Sequence, residues 1–520
     1  MTLRLYQQRN GPYLMSLGFS KPLTAVVWIA GPLTGVLGQP YFGLCSDQCR
    51  ITWGKRKAFI AGGALVIICS LLALAWAGDI VYTVSWIVGS RQDHRILQTI
   101  TMISAAIFVW ILNFATQPLQ CGLRALIVES CPPEQIDSAN AWASRMISIG
   151  SLLGYGSGFV DISLLMHTEG GHTQFKALCV LATWSLAFTV CVCCSTIRER
   201  DPNQDGPPSV ELKSIIGKIK HIYGSIFKIP PLVAMVCKAQ LCSWIGWFSF
   251  MYYITTNSNN PIILVNPHLQ EADLQNIQPV DLVEAQKSAN RHGSLALLMF
   301  AFAQLLTSVV APSLITKHQL GLSNPTIAKT ALSRFLSRQL HTPWSSLCAL
   351  WMLSHAIFAA CMFSTLLVSS VVGATILVGF VGISAAPSQF VPFTLISLIL
   401  SWHQTTYRAT RDLTTDTPTS YVTQPGIVMG IHNMSIAAPQ LIAAVGSSAI
   451  FWLLGADGGG KSRSTGWVLR AGGIAALAAI WMTLKVQDGA EDENEDALAA
   501  EQSYMLLPDT ISELDLGMDL

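Results

Sequence analysis

Between Ile111 and Glu129 the chain reads ILNFATQPLQCGLRALIVE, an apolar run that also holds Asn113, Gln117, Gln120, Arg124 and Glu129. The first four of these are spaced by four, three and four residues. On a helix of about 3.6 residues per turn, that spacing lines them along one face. Amides offer paired donors and acceptors, and a guanidinium offers donors and a permanent charge. A charge at bilayer depth costs about 2.5–3.5 kcal/mol on insertion scales, so Arg124 is expected to face a wet interior. Pro118 inside the run frees a backbone carbonyl, tolerable where protein or water re-satisfies it. The alternative for the stripe is a structural hydrogen-bonded seam between helices.

Other runs repeat the pattern. Ser144, Ser148, Ser151 and Tyr155 share one face, and Gln240, Trp244, Trp247 and Met251 share another within LVAMVCKAQLCSWIGWFSFMYY. Asn433 and Gln440 align in GIHNMSIAAPQLI. Amides, hydroxyls and an indole face that can stack on C–H groups suit a neutral, hydroxyl-rich solute. Small-residue helix packing explains the serines equally well, and His355 and His432 read as packed histidines. The chain has no HExxH, no Walker A loop and no GxSxG. No enzyme, cofactor or metal is therefore expected, and nothing provides for ATP. The thirteen cysteines lack zinc spacing and read as small apolar filler.

The elements that must carry these faces follow from composition. The 520 residues are 51% hydrophobic and 12% charged, against about 25% charge for a soluble domain. A polytopic membrane protein is implied, with the lipid bilayer as a partner. The net charge of +1 excludes a generally basic nucleic-acid binder. Runs near the bilayer-spanning length of about 20 residues fall at 24–44, 58–77, 101–123, 140–162, 176–196, 231–254, 293–316, 346–368, 371–399, 426–454 and 466–485. These make about eleven helices, and the absence of strict alternation excludes a barrel.

Loop charges orient them. Arg50, Lys55, Arg56 and Lys57, the central Arg198–Lys228 segment, and Lys317, Lys329, Arg334 and Arg338 are basic, whereas 257–292 is rich in acids. Basic loops face the cytoplasm; the acidic 125–137 segment is the exception. The predicted divisions are an N-terminal bundle over 1–196, a cytoplasmic loop over 197–230, a six-helix bundle over 231–485 and a disordered acidic tail over 486–520. Residues 1–22 read as the outer end of a first helix too short and charged to span, so a clipped start at Met1 is expected.

GPLTGVLGQPYFGLCSDQCRITWGKRKAFI (31–60), CGLRALIVE, SWIGWFSF, VGISAAPSQFVPFTLIS and IHNMSIAAPQ resemble, in order, segments of the sucrose/proton symporters. These belong to the glycoside–pentoside–hexuronide:cation symporters of the major facilitator superfamily, and the chain looks most similar to fungal α-glucoside carriers. The resemblance implies an all-α membrane protein with the major facilitator fold, with about eleven helices present of twelve, in two pseudo-symmetric bundles around a central site. It implies sucrose or maltose-type disaccharides as substrate and a proton as co-substrate. It places Arg124 at the sugar and proton site, Asp47 and Arg56 at a cytoplasmic gate, and Gln240, Trp244, Asn433 and Gln440 along the sugar path, where Trp247 is a further candidate. The expected location is the plasma membrane, with the vacuolar membrane as alternative.

One departure bears on coupling. The family has Asp where this chain has Asn113, and an amide cannot exchange a proton as a carboxylate does. Glu129 is the nearest substitute, five residues past Arg124 and off the stripe. An uncoupled facilitator, or a non-transporting sugar sensor or truncated remnant, is the alternative function.

Overall fold

Long apolar runs become helices because lipid offers no partner to a backbone N–H, which must bond within its own segment. The computed structural model describes Leu14 and residues 17–89, 93–159, 171–199, 214–256, 279–319, 343–368, 370–410, 424–455 and 461–505. Among these residues no strand occurs. The N-terminal half contributes α1 Lys21–Trp28, α2 Ala30–Asp47, α3 Lys55–Ala75, α4 Ala77–Ile87, α5 His94–Ser130, α6 Ile136–Phe159 and α7 Gly171–Thr196. A short α8, Ile215–Ile226, lies between the halves. The C-terminal half contributes α9 Pro231–Thr256, α10 Pro279–Gln319, α11 Pro343–Ser364, α12 Val371–Thr410, α13 Pro425–Gly455 and α14 Lys461–Met505.

Nine of these helices are long and apolar enough over their described residues to cross a membrane. The two predicted spans outside that set, α2 and α6, have a physical reason to be more polar. They face the other half of the molecule: α2 packs along α13, and α6 packs along α10 and α12. Thr34 and Gln39 of α2 and Asn140, Ser144, Ser148 and Ser151 of α6 are all buried. Within the halves, α3 packs on α5 and α7, α9 on α14 and α13, α10 on α12, and α11 on α14.

Several sequence expectations change. The central 197–230 segment holds α8 and is not wholly loop. The acidic tail continues α14 as helix to Met505 where disorder was predicted, in keeping with its Ala, Glu and Gln content and their high helix propensity. The predicted partial first helix falls largely on residues 1–13, outside the described residues, as do 257–278 of the acidic loop and 320–342 of a basic one.

Lipid supplies no hydrophobic drive between helices, so close packing of small residues has to hold them. Along the α2–α13 seam, Gly43 lies against the Gly426 carbonyl. A Cβ on Gly430 would stand 2.5 Å from Pro40 Cα, and one on Gly35 would stand 2.9 Å from Ala437 Cβ. The Gly43–Gly426 contact joins the ends of α2 and α13 near Lys55, Arg56 and Lys218. This is the basic end of the molecule.

Gly430→Leu is expected to lower the melting temperature of the detergent-purified protein, since overpacking costs about 1–3 kcal/mol. Gly446→Leu, where a Cβ would meet no atom within 4 Å, should melt like the parent. Indistinguishable melting of all three proteins would show that this seam does not hold the halves together.

Candidate functional site

At the basic end the chain turns from α2 into α3 through Gly54, whose φ of +133° only glycine adopts readily. That turn brings Asp47 and Arg56 together. Arg56 is wholly buried, so its charge must be matched inside the protein. Its Nη2 lies 2.5 Å from Asp47 Oδ1 and 2.7 Å from Glu129 Oε1. Its Nε donates to Glu129 Oε2 at 2.9 Å and its Nη1 to Ser46 Oγ at 2.5 Å. Lys55 Nζ adds a contact to Glu129 at 3.0 Å. Glu199, just beyond α7, accepts the backbone N–H groups of Arg56 and Lys57 at 2.8 and 2.7 Å. It thereby satisfies the start of α3, where N–H groups lack helical partners.

Asp47 also reaches across the molecule. Its two carboxylate oxygens accept the N–H groups of Gly426 and Ile427 at 3.0 and 2.9 Å. These open α13, so the carboxylate both fills orphan donors and sits at the positive end of the helix dipole. One side chain thus ties the α3 guanidinium to the first turn of a helix in the other half. Glu129, a coupling candidate by sequence, belongs to this ionic cluster.

The stripe on α5 divides along its length. Asn113 bonds back to the Val109 carbonyl at 2.8 Å. Gln117 is buried and donates to Thr34 Oγ1 of α2 at 3.3 Å, and Gln120 accepts from Gln39 of α2 at 3.4 Å. This upper part is a seam between α5 and α2, although Gln120 stays exposed. Arg124 departs from it: its guanidinium lies 3.6 Å above the Phe393 ring of α12. Asn113 and Arg124 are eleven residues apart, about 16 Å along a helix, so they do not form one group.

Phe393 meets His432 of α13 edge to face, with centroids 4.6 Å apart. His432 Nε2 lies 3.4 Å from Gln240 Nε2 of α9. A row therefore runs Arg124–Phe393–His432–Gln240 from one half into the other. Gln240 and His432 are wholly buried. Gln240 Oε1, His432 Nδ1 and the neighbouring Trp244 Nε1 have no hydrogen-bond partner among the described residues. Buried polar atoms of this kind are uncommon and call for a partner. The three together offer an acceptor, a ring nitrogen and an N–H donor.

The remaining predicted residues lie elsewhere. Asn433 donates to the Gly35 carbonyl at 3.4 Å, within the α2–α13 seam, and Gln440 donates to Tyr252 Oη at 3.2 Å. Trp247 is buried among Phe250, Phe300 and Phe358, its ring 4.7 Å from that of Phe358. It packs in an apolar cluster apart from Gln240. Sequence reading missed Phe393, which has no polar signal, and Glu199, which acts from the end of another helix. It set His432 aside as packed.

No family model matches the chain. The general alpha-glucoside permease of Schizosaccharomyces pombe is 29% identical over 526 residues, covering 90% of this chain and 88% of the permease. Sucrose transport protein SUC4 of Arabidopsis thaliana is 24% identical over 499 residues, covering 90% and 85%. Among solved structures, a bacterial homologue of the iron transporter ferroportin in an outward-facing state aligns with a TM-score of 0.55 at 11% identity, over 94% of this chain and 96% of that one. The major facilitator superfamily proton:xylose symporter XylE, bound to 6-bromo-6-deoxy-D-glucose, aligns with a TM-score of 0.54 at 12% identity, over 93% and 90%. This chain has the major facilitator fold. It is an integral membrane protein and a homologue of the alpha-glucoside permease and sucrose transport proteins. In this chain the halves are joined at the basic end through Asp47.

Below that junction Cys121 is buried, its Sγ 3.5 Å from the Gly426 carbonyl. Asp47→Asn removes one partner of a buried ion pair, a change that costs roughly 3–5 kcal/mol. It is expected to raise the rate of Cys121 alkylation in the purified protein about tenfold or more, read peptide by peptide in a mass spectrometer. An unchanged rate would mean that Asp47 does not hold this end shut.

Proposed function

We propose that this protein carries α-linked glucosides of the sucrose and maltose type across the membrane by alternating access. The two halves, 1–196 and 231–485, would rock as units about the row that joins them. The observation that carries the reading is that row, Arg124–Phe393–His432–Gln240, with three buried polar atoms that lack partners among the described residues beside an aromatic ring. A sugar presents hydroxyls to such atoms and C–H faces to such rings. The names of the relatives, an alpha-glucoside permease and a sucrose transport protein, support the same substrate class. The basic end faces the cytoplasm of a plasma-membrane protein, and Asp47 with Arg56 acts as the gate there.

Proton coupling is part of the proposal through the likeness to a proton:xylose symporter. A specific observation favours a second reading, uncoupled passage. Position 113 is an amide bonded to its own helix, and Glu129 is held by Arg56 and Lys55. The α5 stripe therefore has no carboxylate free to take up a proton.

Uptake of labelled sucrose and maltose into proteoliposomes, with and without an inward proton gradient, tests both. Uptake of at least one sugar is expected, and uptake of neither by correctly folded protein would end the substrate claim. Stimulation by the gradient supports symport, whereas equal rates in both conditions establish the uncoupled reading. Gln240→Leu should raise KM about tenfold, in line with loss of a buried hydrogen bond worth about 1–3 kcal/mol. An unaltered KM would remove Gln240 from the sugar path.

A further inference from the structure

Helix α8 and the adjoining Phe227 present apolar residues on two sides. One side is occupied. Ile222 and Ile226 pack on a core cluster that takes Leu44 and Val128 from one half and many residues from the other. Lys218 Nζ lies 3.4 Å from Cys45 Sγ and 5.6 Å from the centroid of Tyr41. His221 Nε2 lies 3.5 Å from Gln424 Oε1, at the start of α13. The helix therefore touches both halves at the basic end.

The other side is open. Ile216, Ile219, Tyr223 and Phe227 are 78%, 57%, 66% and 75% exposed. Their spacing of three, four and four residues draws one stripe along the helix. The Tyr223 and Phe227 rings are T-shaped with centroids 5.5 Å apart. Lys220 and Lys228 are exposed at the margin of this stripe, and residues 214–230 contain no acid. The segment runs directly into Pro231, the first residue of a membrane-crossing helix. The stripe consequently lies at the level where the crossing helices leave the bilayer.

We propose that α8 is an interfacial helix bound to anionic phospholipid of the cytoplasmic leaflet. Ile216, Ile219, Tyr223 and Phe227 enter the boundary between headgroups and acyl chains, and Lys220 and Lys228 meet the phosphates. An amphipathic helix with basic residues beside an apolar face has the chemistry for that position, and tyrosine belongs at headgroup depth. Each lysine near an anionic surface favours binding about fivefold. Because the buried side of α8 holds Cys45 and Tyr41 on one half and Gln424 on the other, lipid that fixes α8 also supports closure of this end.

The test uses the full chain with Phe227→p-benzoylphenylalanine, reconstituted in phosphatidylcholine vesicles containing phosphatidylserine, and irradiated. Mass spectrometry of the peptide spanning residue 227 is expected to show lipid adducts, with phosphatidylserine enriched severalfold over its share of the bilayer. Adding Lys220→Gln and Lys228→Gln should return that share to the bulk composition while adducts persist. A peptide without lipid adduct, or one joined to a second copy of the chain, overturns the interfacial position. Equal phosphatidylserine enrichment with and without the lysines overturns the headgroup contact. Should the Phe227 variant fail to fold, Ile216→p-benzoylphenylalanine gives the same readout from the same stripe.

Discussion

A buried guanidinium sets the terms at the closed end of this molecule. Arg56 is removed from water, and a charge in that position persists only if its partners are inside too. Asp47 and Glu129 supply them, and Ser46 takes a further donor. Since Asp47 is simultaneously the acceptor for the first N–H groups of α13, the charge balance of one half is completed by the other. Pulling α13 away would leave Asp47 with Arg56 alone and would expose two backbone donors of α13. The interaction is consequently stabilising only when the halves are together at this end.

The close approach that makes this interaction geometrically available comes from the seam residues. Gly43 meets Gly426 carbonyl to backbone, and Gly430 meets Pro40. Any larger side chain there would set the α13 N–H groups beyond reach of the Asp47 carboxylate. Small residues in the seam and charges at its end therefore act as one device. The seam fixes the separation and the carboxylate uses it. Polar residues elsewhere on α2, such as Thr34 and Gln39, bond to α5 and keep α2 attached to its own half.

How much of this could be read from the chain depended on whether a signal is local. Spacing alone placed Asn113, Gln117, Gln120 and Arg124 on one helical face, because helical periodicity is a local property. It could not say which neighbour that face meets, and the stripe divides between a seam to α2 and a cation–π contact to α12. The Asp47–Arg56 pairing was legible through a family resemblance, while Glu199 was not, since its partners lie more than 140 residues away in the chain. Trp247 shares a helical face with Gln240 and Trp244, and the structure packs it among Phe250, Phe300 and Phe358, in an apolar cluster against which Trp244 also lies. His432 reads as filler until Phe393 and Gln240 are seen on either side of it. The α8 stripe was present in the spacing of its isoleucines and aromatics, but a 12-residue helix between long apolar spans carries little weight by hydropathy.

Two helices connect the polar row to the ionic cluster around Asp47 and Arg56. On α13, His432 lies six residues after Gly426, about 9 Å along the axis. On α5, Arg124 lies five residues before Glu129, about 7.5 Å along the axis. Each helix thus carries one residue of the row and one of the ionic cluster at similar separation. A helix is stiff over that distance, so a displacement at its row residue is delivered at its residue in the ionic cluster nearly undiminished. A solute that draws His432 and Arg124 together would press α13 toward α5 and tighten the Asp47 cap. One that wedges between Phe393 and His432 would turn α13 outward and weaken it. In the proposed transport cycle, the sign of the coupling between the row and the Asp47 cap would depend on which side of the Phe393 ring the solute occupies. Arg124 already covers one of those faces at 3.6 Å. In the proposed transport cycle, a ring-bearing solute would have to reach Phe393 from a side that Arg124 leaves open.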